Sequence, residues 1–214
     1  MKVKFCGTNK IEYAQMAIDL GVDYLGFLVG ITHLAEDKLT NTEAAKLINS
    51  IDFKGVTPIA VTHLQSADIV IKTMQEINVS AVQLHDTISI DDIKKIRDAI
   101  SNSYIIKTVH VSSETDSIEA VLKYEDYVDA ILLDSRTKDR LGGTGLTHDW
   151  NISQEIVKIS KKPIFLAGGL NPANLKKAIE KVEPYGVDVN SGIEINGEKV
   201  YEKMKEFIKI ARGA

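Results

Sequence analysis

Two side chains with reactive groups stand where apolar runs end. Cys6 closes the run "KVKFC", and Asp134 closes the run "AILLD". A carboxylic acid against apolar walls has a raised pKa and can donate a proton. Holding an unshifted aspartic acid protonated at pH 7 costs about 4 kcal/mol, so the surroundings of Asp134 must supply that free energy.

Both residues also have simpler explanations. A single cysteine near the end of a strand is commonly a small buried apolar residue. Asp134 precedes Arg136 and Arg140 in the chain. An ion pair with either arginine would lower the pKa of the carboxyl instead of raising it. The residues alone leave these alternatives open.

Glycine-rich turns follow the last two apolar runs. "AGGLNP" contains Gly168 and Gly169, and "VNSGIE" contains Ser191 and Gly192. Backbone amides in such turns, beside the start of a helix, favour a phosphate group. A third glycine loop, "GGTGLTHDW", contains Gly145 as a further candidate for binding the phosphate. The alternative is that the glycines only permit tight turns between strand and helix.

The elements that must position these residues alternate along the whole chain. Short β-branched runs predict eight strands, and amphipathic stretches between them predict helices. The predicted strands are residues 2–6, 23–29, 56–62, 80–85, 104–110, 128–134, 162–168 and 186–192. The predicted helices include residues 11–20, 42–51, 67–77, 91–100, 172–182 and 198–211.

This alternation predicts an α/β fold, a single (β/α)8 TIM barrel over residues 1–214. An open doubly wound sheet uses the same alternation and stays the alternative. In a barrel the active site forms at the carboxyl ends of the strands, where His63, His85 and His110 also fall. The spacing of His, Cys and carboxylate residues is not typical of a metal site, so we expect no metal.

Composition and charge narrow the class of partner. The 214 residues carry 26 Lys+Arg and 30 Asp+Glu, a formal net charge of −4, without long blocks of one sign. We therefore expect a small-molecule partner and neither nucleic acid nor membrane. Residues 1–17 do not form a signal peptide, and the single cysteine allows no internal disulfide, so we expect a cytoplasmic protein. Monomer and homodimer both stay open.

Taken in order, these segments resemble the phosphoribosylanthranilate isomerase family, tryptophan-pathway enzymes with a (β/α)8 fold. The resemblance covers nearly the whole chain. The segments that carry it are "VKFCGTNKIEYAQMAIDLGVDYLGFLV", "SAVQLH", "ILLDSRTKDRLGGTGLTHDW", "LAGGLNPANLKKAI" and "VDVNSGIE".

The resemblance implies an Amadori rearrangement of N-(5-phosphoribosyl)anthranilate by general acid and base catalysis. Asp134 would protonate the furanose ring oxygen, which opens the ring to a Schiff base. Cys6, as a thiolate, would then remove the C2 proton. The substrate phosphate would lie on the amides of the two glycine turns, and no cofactor would be needed.

One loop departs from the family pattern. The family usually carries a basic loop after the second strand, and its arginine binds the anthranilate carboxylate. This chain reads "GITHLAEDKLT" there, without arginine. The candidates for other substrate contacts are His33, Lys38, His85 and Arg136.

Three functions therefore remain open. The first is phosphoribosylanthranilate isomerase. The second is a related isomerase for another N-ribosyl phosphate amine, and the third is a non-catalytic phosphosugar-binding protein. Substitution of Cys6 and Asp134 separates the last from the enzymes, because a binding protein has no turnover to lose.

Overall fold

The structure is a computed structural model and describes residues 1–32, 35–135 and 147–213. The strands in these residues are β1 (Lys2–Phe5), β2 (Tyr24–Val29), β3 (Lys38–Leu39), β4 (Thr57–Thr62), β5 (Ala81–Leu84), β6 (Tyr104–Val111), β7 (Ala130–Ser135), β8 (Ile164–Leu166), β9 (Gly186–Val189), β10 (Glu194–Ile195) and β11 (Glu198–Lys199). The helices are α1 (Ile11–Asp19), α2 (Asn41–Asn49), α3 (Ala67–Glu76), α4 (Ile90–Ala99), α5 (Glu114–Tyr124), α6 (Trp150–Ile159), α7 (Pro172–Val182) and α8 (Tyr201–Arg212), with 3₁₀ turns at Glu125–Tyr127 and Ser191–Ile193.

The pairing order decides between the two predicted sheet types. The main sheet runs β1-β9-β8-β7-β6-β5-β4-β2, and β1 also pairs with β2. This order closes the eight long strands, each followed by a helix, into a (β/α)8 barrel. The predicted fold class is confirmed, and the open doubly wound sheet is excluded.

The segment after β9 differs from the prediction. A helix starting at residue 198 is wrong, because Glu198–Lys199 pairs antiparallel with Glu194–Ile195 as a small hairpin. Asn196 and Gly197 form its turn with φ of 53° and 80°. An Asn-Gly pair is a strong hairpin signal because both positions need positive φ. α8 therefore begins only at Tyr201.

The chain divides into two compact units. The C-terminal unit comprises Met1–Lys4, Thr108–Asp126 and Ala130–Ala214, and the N-terminal unit comprises Phe5–Lys107 and Tyr127–Asp129. The prediction that residues 1–214 form one domain stays a prediction.

The N-terminal unit contains the parallel strands β2, β4 and β5. Their register places Gly26 beside Ile59 and Ile59 beside Ala81. The strand residues are mostly buried because helices cover them, as expected for a parallel sheet. α2 begins at a capping box in which the Thr40 hydroxyl accepts from the Glu43 amide and Glu43 accepts from the Thr40 amide.

The C-terminal unit contains the parallel strands β7, β8 and β9. All residues of β7 and β9 are buried, so a polar side chain on either strand lies in a dry environment. Gly186 pairs with Phe165, and a Cβ at Gly186 would lie 2.5 Å from the Phe165 ring. The glycine is needed because the ring occupies that space. Among the described helices, none has the length and apolar character needed to cross a bilayer.

Candidate active site

Asp134 lies near the end of β7 with 7% of its surface exposed. Burial is the main cause that raises the pKa of its carboxyl, to about 7, and the nearby Asp188 carboxylate raises it further. The Ser135 amide, which donates to Asp134 Oδ1 at 2.8 Å, and the Lys4 ammonium act in the opposite direction. The predicted burial and raised pKa are confirmed. Arg136 and Arg140 lie outside the described residues.

A buried ion pair accompanies this acid. Lys4 Nζ on β1 lies 2.9 Å from Asp188 Oδ1 on β9, and the lysine side chain is fully buried. The sequence analysis missed both residues. The signal was a charged residue between Val3 and Phe5 in an otherwise apolar run, and an aspartate between Val187 and Val189.

The first glycine turn has the conformation that only glycine adopts readily. Gly168 and Gly169 have φ of 82° and 67°. A Cβ at Gly168 would lie 2.2 Å from Ser135 Oγ, so this turn packs directly against the residue after Asp134. The Asn171 and Asn174 amide groups donate to Gly169 O at 3.2 and 2.9 Å, which fixes that peptide plane.

Asn171 also caps α7. Its Oδ1 accepts from the Ala173 amide at 3.0 Å, and Pro172 occupies the first helical position. Its main-chain oxygen accepts from the Asn174 and Leu175 amides. Because these amides are already bonded, an anion here would bind to the amides of the preceding glycine turn.

The second turn packs on the first. Ser191 and Gly192 lie in the 3₁₀ turn Ser191–Ile193 after β9. A Cβ at Gly192 would lie only 1.9 Å from Leu170 O, a distance that no side chain tolerates. The two predicted phosphate turns are therefore in backbone contact within the C-terminal unit. Close packing requires glycine at both Gly168 and Gly192, so the glycines alone do not define a phosphate site.

A histidine that was not predicted as a site residue bonds to Ser135, the residue after Asp134. His148 Nδ1 lies 3.1 Å from Ser135 Oγ, and His148 Nε2 lies 2.6 Å from Ser153 Oγ on α6. Burial lowers the pKa of His148 to about 4, so the ring is neutral at pH 7. A neutral ring donates from one nitrogen and accepts at the other, which matches two hydroxyl partners.

The other predicted catalytic residue belongs to the N-terminal unit. Cys6 follows β1, is buried and carries a free thiol. Gly7 turns the chain with φ of 68°, and the Thr8 amide donates to Gly26 O at 2.9 Å. This turn fixes the backbone next to the thiol. Burial agrees both with an apolar packing role and with a base in a dry site.

Histidines at two strand ends stack in the N-terminal unit. The His63 and His85 rings lie 4.9 Å apart with an angle of 6° between their planes. Thr32, in the loop after β2, places its Oγ1 3.5 Å from His63 Nδ1. Lys38 is exposed on the short strand β3, which pairs in parallel with the end of β2.

His33, Arg136 and Gly145 lie outside the described residues. The structure therefore brings together Asp134 and the two glycine turns in one unit, and it places Cys6, Lys38 and His85 in the other.

The fold defines a (β/α)8 barrel, and its C-terminal unit contains a buried candidate acid, Asp134. Residues 3–210 match the family model of N-(5'-phosphoribosyl)anthranilate (PRA) isomerase. The chain therefore belongs to the phosphoribosylanthranilate isomerase family.

Individual relatives match this chain over nearly their full lengths. N-(5'-phosphoribosyl)anthranilate isomerase 2 of Methanosarcina mazei is 38% identical, over 99% of this chain and 94% of the relative. The crystal structure of phosphoribosyl anthranilate isomerase from Thermotoga maritima is 30% identical with a TM-score of 0.86 and full coverage of both chains. A further solved isomerase, 29% identical with a TM-score of 0.83 and full coverage of both chains, is in complex with reduced 1-(o-carboxyphenylamino)-1-deoxyribulose 5-phosphate.

Proposed function

We propose that this protein is a phosphoribosylanthranilate isomerase of tryptophan biosynthesis. It converts N-(5-phosphoribosyl)anthranilate to 1-(2-carboxyphenylamino)-1-deoxyribulose 5-phosphate, an aldose–ketose type isomerisation. The observation that carries this proposal is the match to the isomerase family model over residues 3–210. A relative of the same fold binds the reduced form of this product.

Asp134 is the general acid in this proposal. Its proton goes to the furanose ring oxygen, the bond from C1 to that oxygen breaks, and the nitrogen lone pair forms the C1=N bond of a Schiff base. Asp134 is left as a carboxylate. A carboxyl with a pKa of about 7 supports this role, because it keeps a large fraction of its protons at neutral pH.

Cys6 is the general base. The iminium ion acidifies the neighbouring C–H bond, so the thiolate removes the C2 proton. The electron pair of that C–H bond forms C1=C2, and the π pair of C1=N returns to nitrogen as its lone pair. The resulting enolamine loses its hydroxyl proton and gains a proton at C1, which gives the ketone. The steps balance as proton transfers alone, so the proposal needs no cofactor. The position of Cys6 directly after β1 supports the role, since barrel active sites form at strand ends.

The phosphate binds to the amides of the two glycine turns, Gly168–Gly169 and Ser191–Gly192, with Gly145 as a further candidate. Backbone contact between the turns supports one shared binding site. The candidates for contacts with the rest of the substrate are His33, Lys38, His85 and Arg136.

We also propose the domain organisation, the compartment, the absence of nucleic-acid binding and the oligomeric state. The protein acts as one barrel domain in the cytoplasm, where its thiol stays reduced, and with a net charge of −4 it binds no nucleic acid. Its oligomeric state is a monomer or a homodimer. A relative from Thermotoga maritima, 29% identical, is a dimeric isomerase from which monomers were generated.

The test follows the fluorescence of phosphoribosylanthranilate, made in place from anthranilate and phosphoribosyl pyrophosphate by the preceding enzyme. We expect the protein to accelerate the loss of fluorescence well above the rate in a protein-free control. A folded protein that binds ribose 5-phosphate but does not accelerate this loss would contradict the proposal.

A further inference from the structure

Lys199 is a buried lysine that the mechanism above does not use. Only 2% of its side chain is exposed, although it lies on the two-residue strand β11. Its Nζ donates to Asn190 Oδ1 at 2.7 Å and lies 3.0 Å from Glu194 Oε1. A buried ammonium needs such partners, because an unpaired one would be strongly destabilising.

The bond to Asn190 reaches the start of the second glycine turn. Asn190 comes directly before Ser191, between β9 and the 3₁₀ turn. Lys199 therefore connects the hairpin to the residue that joins β9 to the 3₁₀ turn. Since Lys199 donates with a charged group, this hydrogen bond is stronger than one between neutral groups.

The hairpin itself is held firmly. The Val200 amide donates to Ile193 O at 2.9 Å, and Lys203 on α8 donates to Glu194 O at 2.8 Å. These two hydrogen bonds fix the hairpin from which Lys199 donates to Asn190. The Glu194 carboxylate offsets its charge, so Lys199 acts on the turn through geometry more than through net charge.

We propose that Lys199 is a positioning residue for phosphate binding: by holding Asn190 it fixes the turn whose Ser191 and Gly192 amides bind the substrate phosphate. This inference rests on the proposed function. It assigns to the hairpin a role in substrate affinity, whereas a merely structural Lys199 would affect stability alone.

The test compares three variants of the full chain by calorimetric titration with ribose 5-phosphate and with inorganic phosphate. Lys199→Met removes the donor at nearly constant volume. Asn190→Ala removes the acceptor and leaves the Lys199–Glu194 ion pair intact, so it keeps the test valid if Lys199→Met does not fold. Lys203→Met is the matched control, because Lys203 supports the same hairpin through Glu194 O.

We expect Lys199→Met and Asn190→Ala each to lower the affinity for ribose 5-phosphate and for inorganic phosphate about tenfold, as for the loss of one charged hydrogen bond. Lys203→Met should change affinity less than about twofold, and the double variant Asn190→Ala/Lys199→Met should bind no worse than either single variant. With phosphoribosylanthranilate, KM should rise while kcat stays within about twofold of wild type.

The inference is overturned if folded Lys199→Met or Asn190→Ala binds both ligands with wild-type affinity. It is also overturned if Lys203→Met lowers the affinity for both ligands as much as these variants do. Tight binding of ribose 5-phosphate by a wild-type protein without turnover would instead contradict the proposed function and leave the inference standing. Normal turnover by the wild type, together with unchanged ligand affinity in the variants, would contradict the inference and leave the proposed function standing.

Discussion

Lys4 Nζ lies 2.9 Å from Asp188 Oδ1, and the two side chains are 0% and 10% exposed. They act on the candidate acid in opposite directions, since the Asp188 carboxylate raises the pKa of Asp134 and the Lys4 ammonium lowers it. The pair therefore exerts two opposed electrostatic effects on one buried carboxyl, beside the larger effect of burial.

Asp188→Asn should move the alkaline limb of the pH profile of kcat/KM to lower pH. The substitution removes the charge that raises the pKa of Asp134 and leaves the charge that lowers it. Because Asp134 must be protonated to act, activity is then lost earlier as pH rises. The measurement is kcat/KM for phosphoribosylanthranilate from pH 5 to 9.

Lys4→Met is the matched opposite of that variant and should move the same limb to higher pH. It also leaves Asp188 buried without its partner, so we expect a loss of stability on the order of 3 kcal/mol or more. A limb that moves the same way in both variants would contradict the electrostatic coupling.

Asp134→Asn should change how the free energy of unfolding depends on pH. The folded-state pKa of about 7 lies above the ordinary value of 3.8, so wild type loses stability as pH rises through this window. The asparagine variant lacks this loss. Its stability relative to wild type should increase from pH 4 to pH 8 by up to about 4 kcal/mol, measured by urea unfolding. A constant difference would mean that the carboxyl is not shifted.

His148→Gln should also change how the free energy of unfolding depends on pH, but in the acid range and with the opposite sign to the effect at Asp134. The folded-state pKa of about 4 lies below the ordinary 6.5, so wild type loses stability as pH falls from about 6.5 to 4. Glutamine keeps a donor and an acceptor but does not titrate. The variant should therefore lose less stability than wild type between pH 7 and pH 4.5, by up to about 3 kcal/mol. Equal losses would contradict a buried neutral imidazole.

Gly168→Ala should be much more destabilising than Gly21→Ala. Both glycines have nearly the same φ, 82° and 80°, which costs alanine about 1 kcal/mol. A Cβ at Gly168 meets Ser135 Oγ at 2.2 Å, whereas one at Gly21 meets nothing within 4 Å. The overlap should add about 2 kcal/mol or more in denaturant unfolding. Equal effects would show that the turn does not pack tightly on Ser135.

Much of the fold was predictable because each long strand is an apolar run bounded by turn residues. The same reasoning placed Asp134 at a strand end, and the apolar residues before it, Ile131 to Leu133, predicted its burial. β3 escaped prediction, since two residues carry no periodicity. The hairpin around Asn196 and Gly197 carried a clear turn signal that the predicted helix obscured.

The partners of the buried charged side chains were less predictable. Periodicity indicates that alternate residues of a strand share a face, but it does not say whether Lys4 faces solvent or meets a partner 184 positions away. Lys199 is similar, because its bond to Asn190 depends on how the hairpin folds back. Such ion pairs follow from tertiary structure and not from local pattern.

The most direct test of the account is the turnover of phosphoribosylanthranilate by the Asp134→Asn and Cys6→Ala variants, with Lys203→Met as a control outside the proposed chemistry. Loss of a general acid or base should lower kcat about 10²- to 10⁴-fold in each, while ribose 5-phosphate binding stays near wild type. If either variant is folded, binds ribose 5-phosphate and retains kcat within about threefold of wild type, the acid–base assignment is wrong.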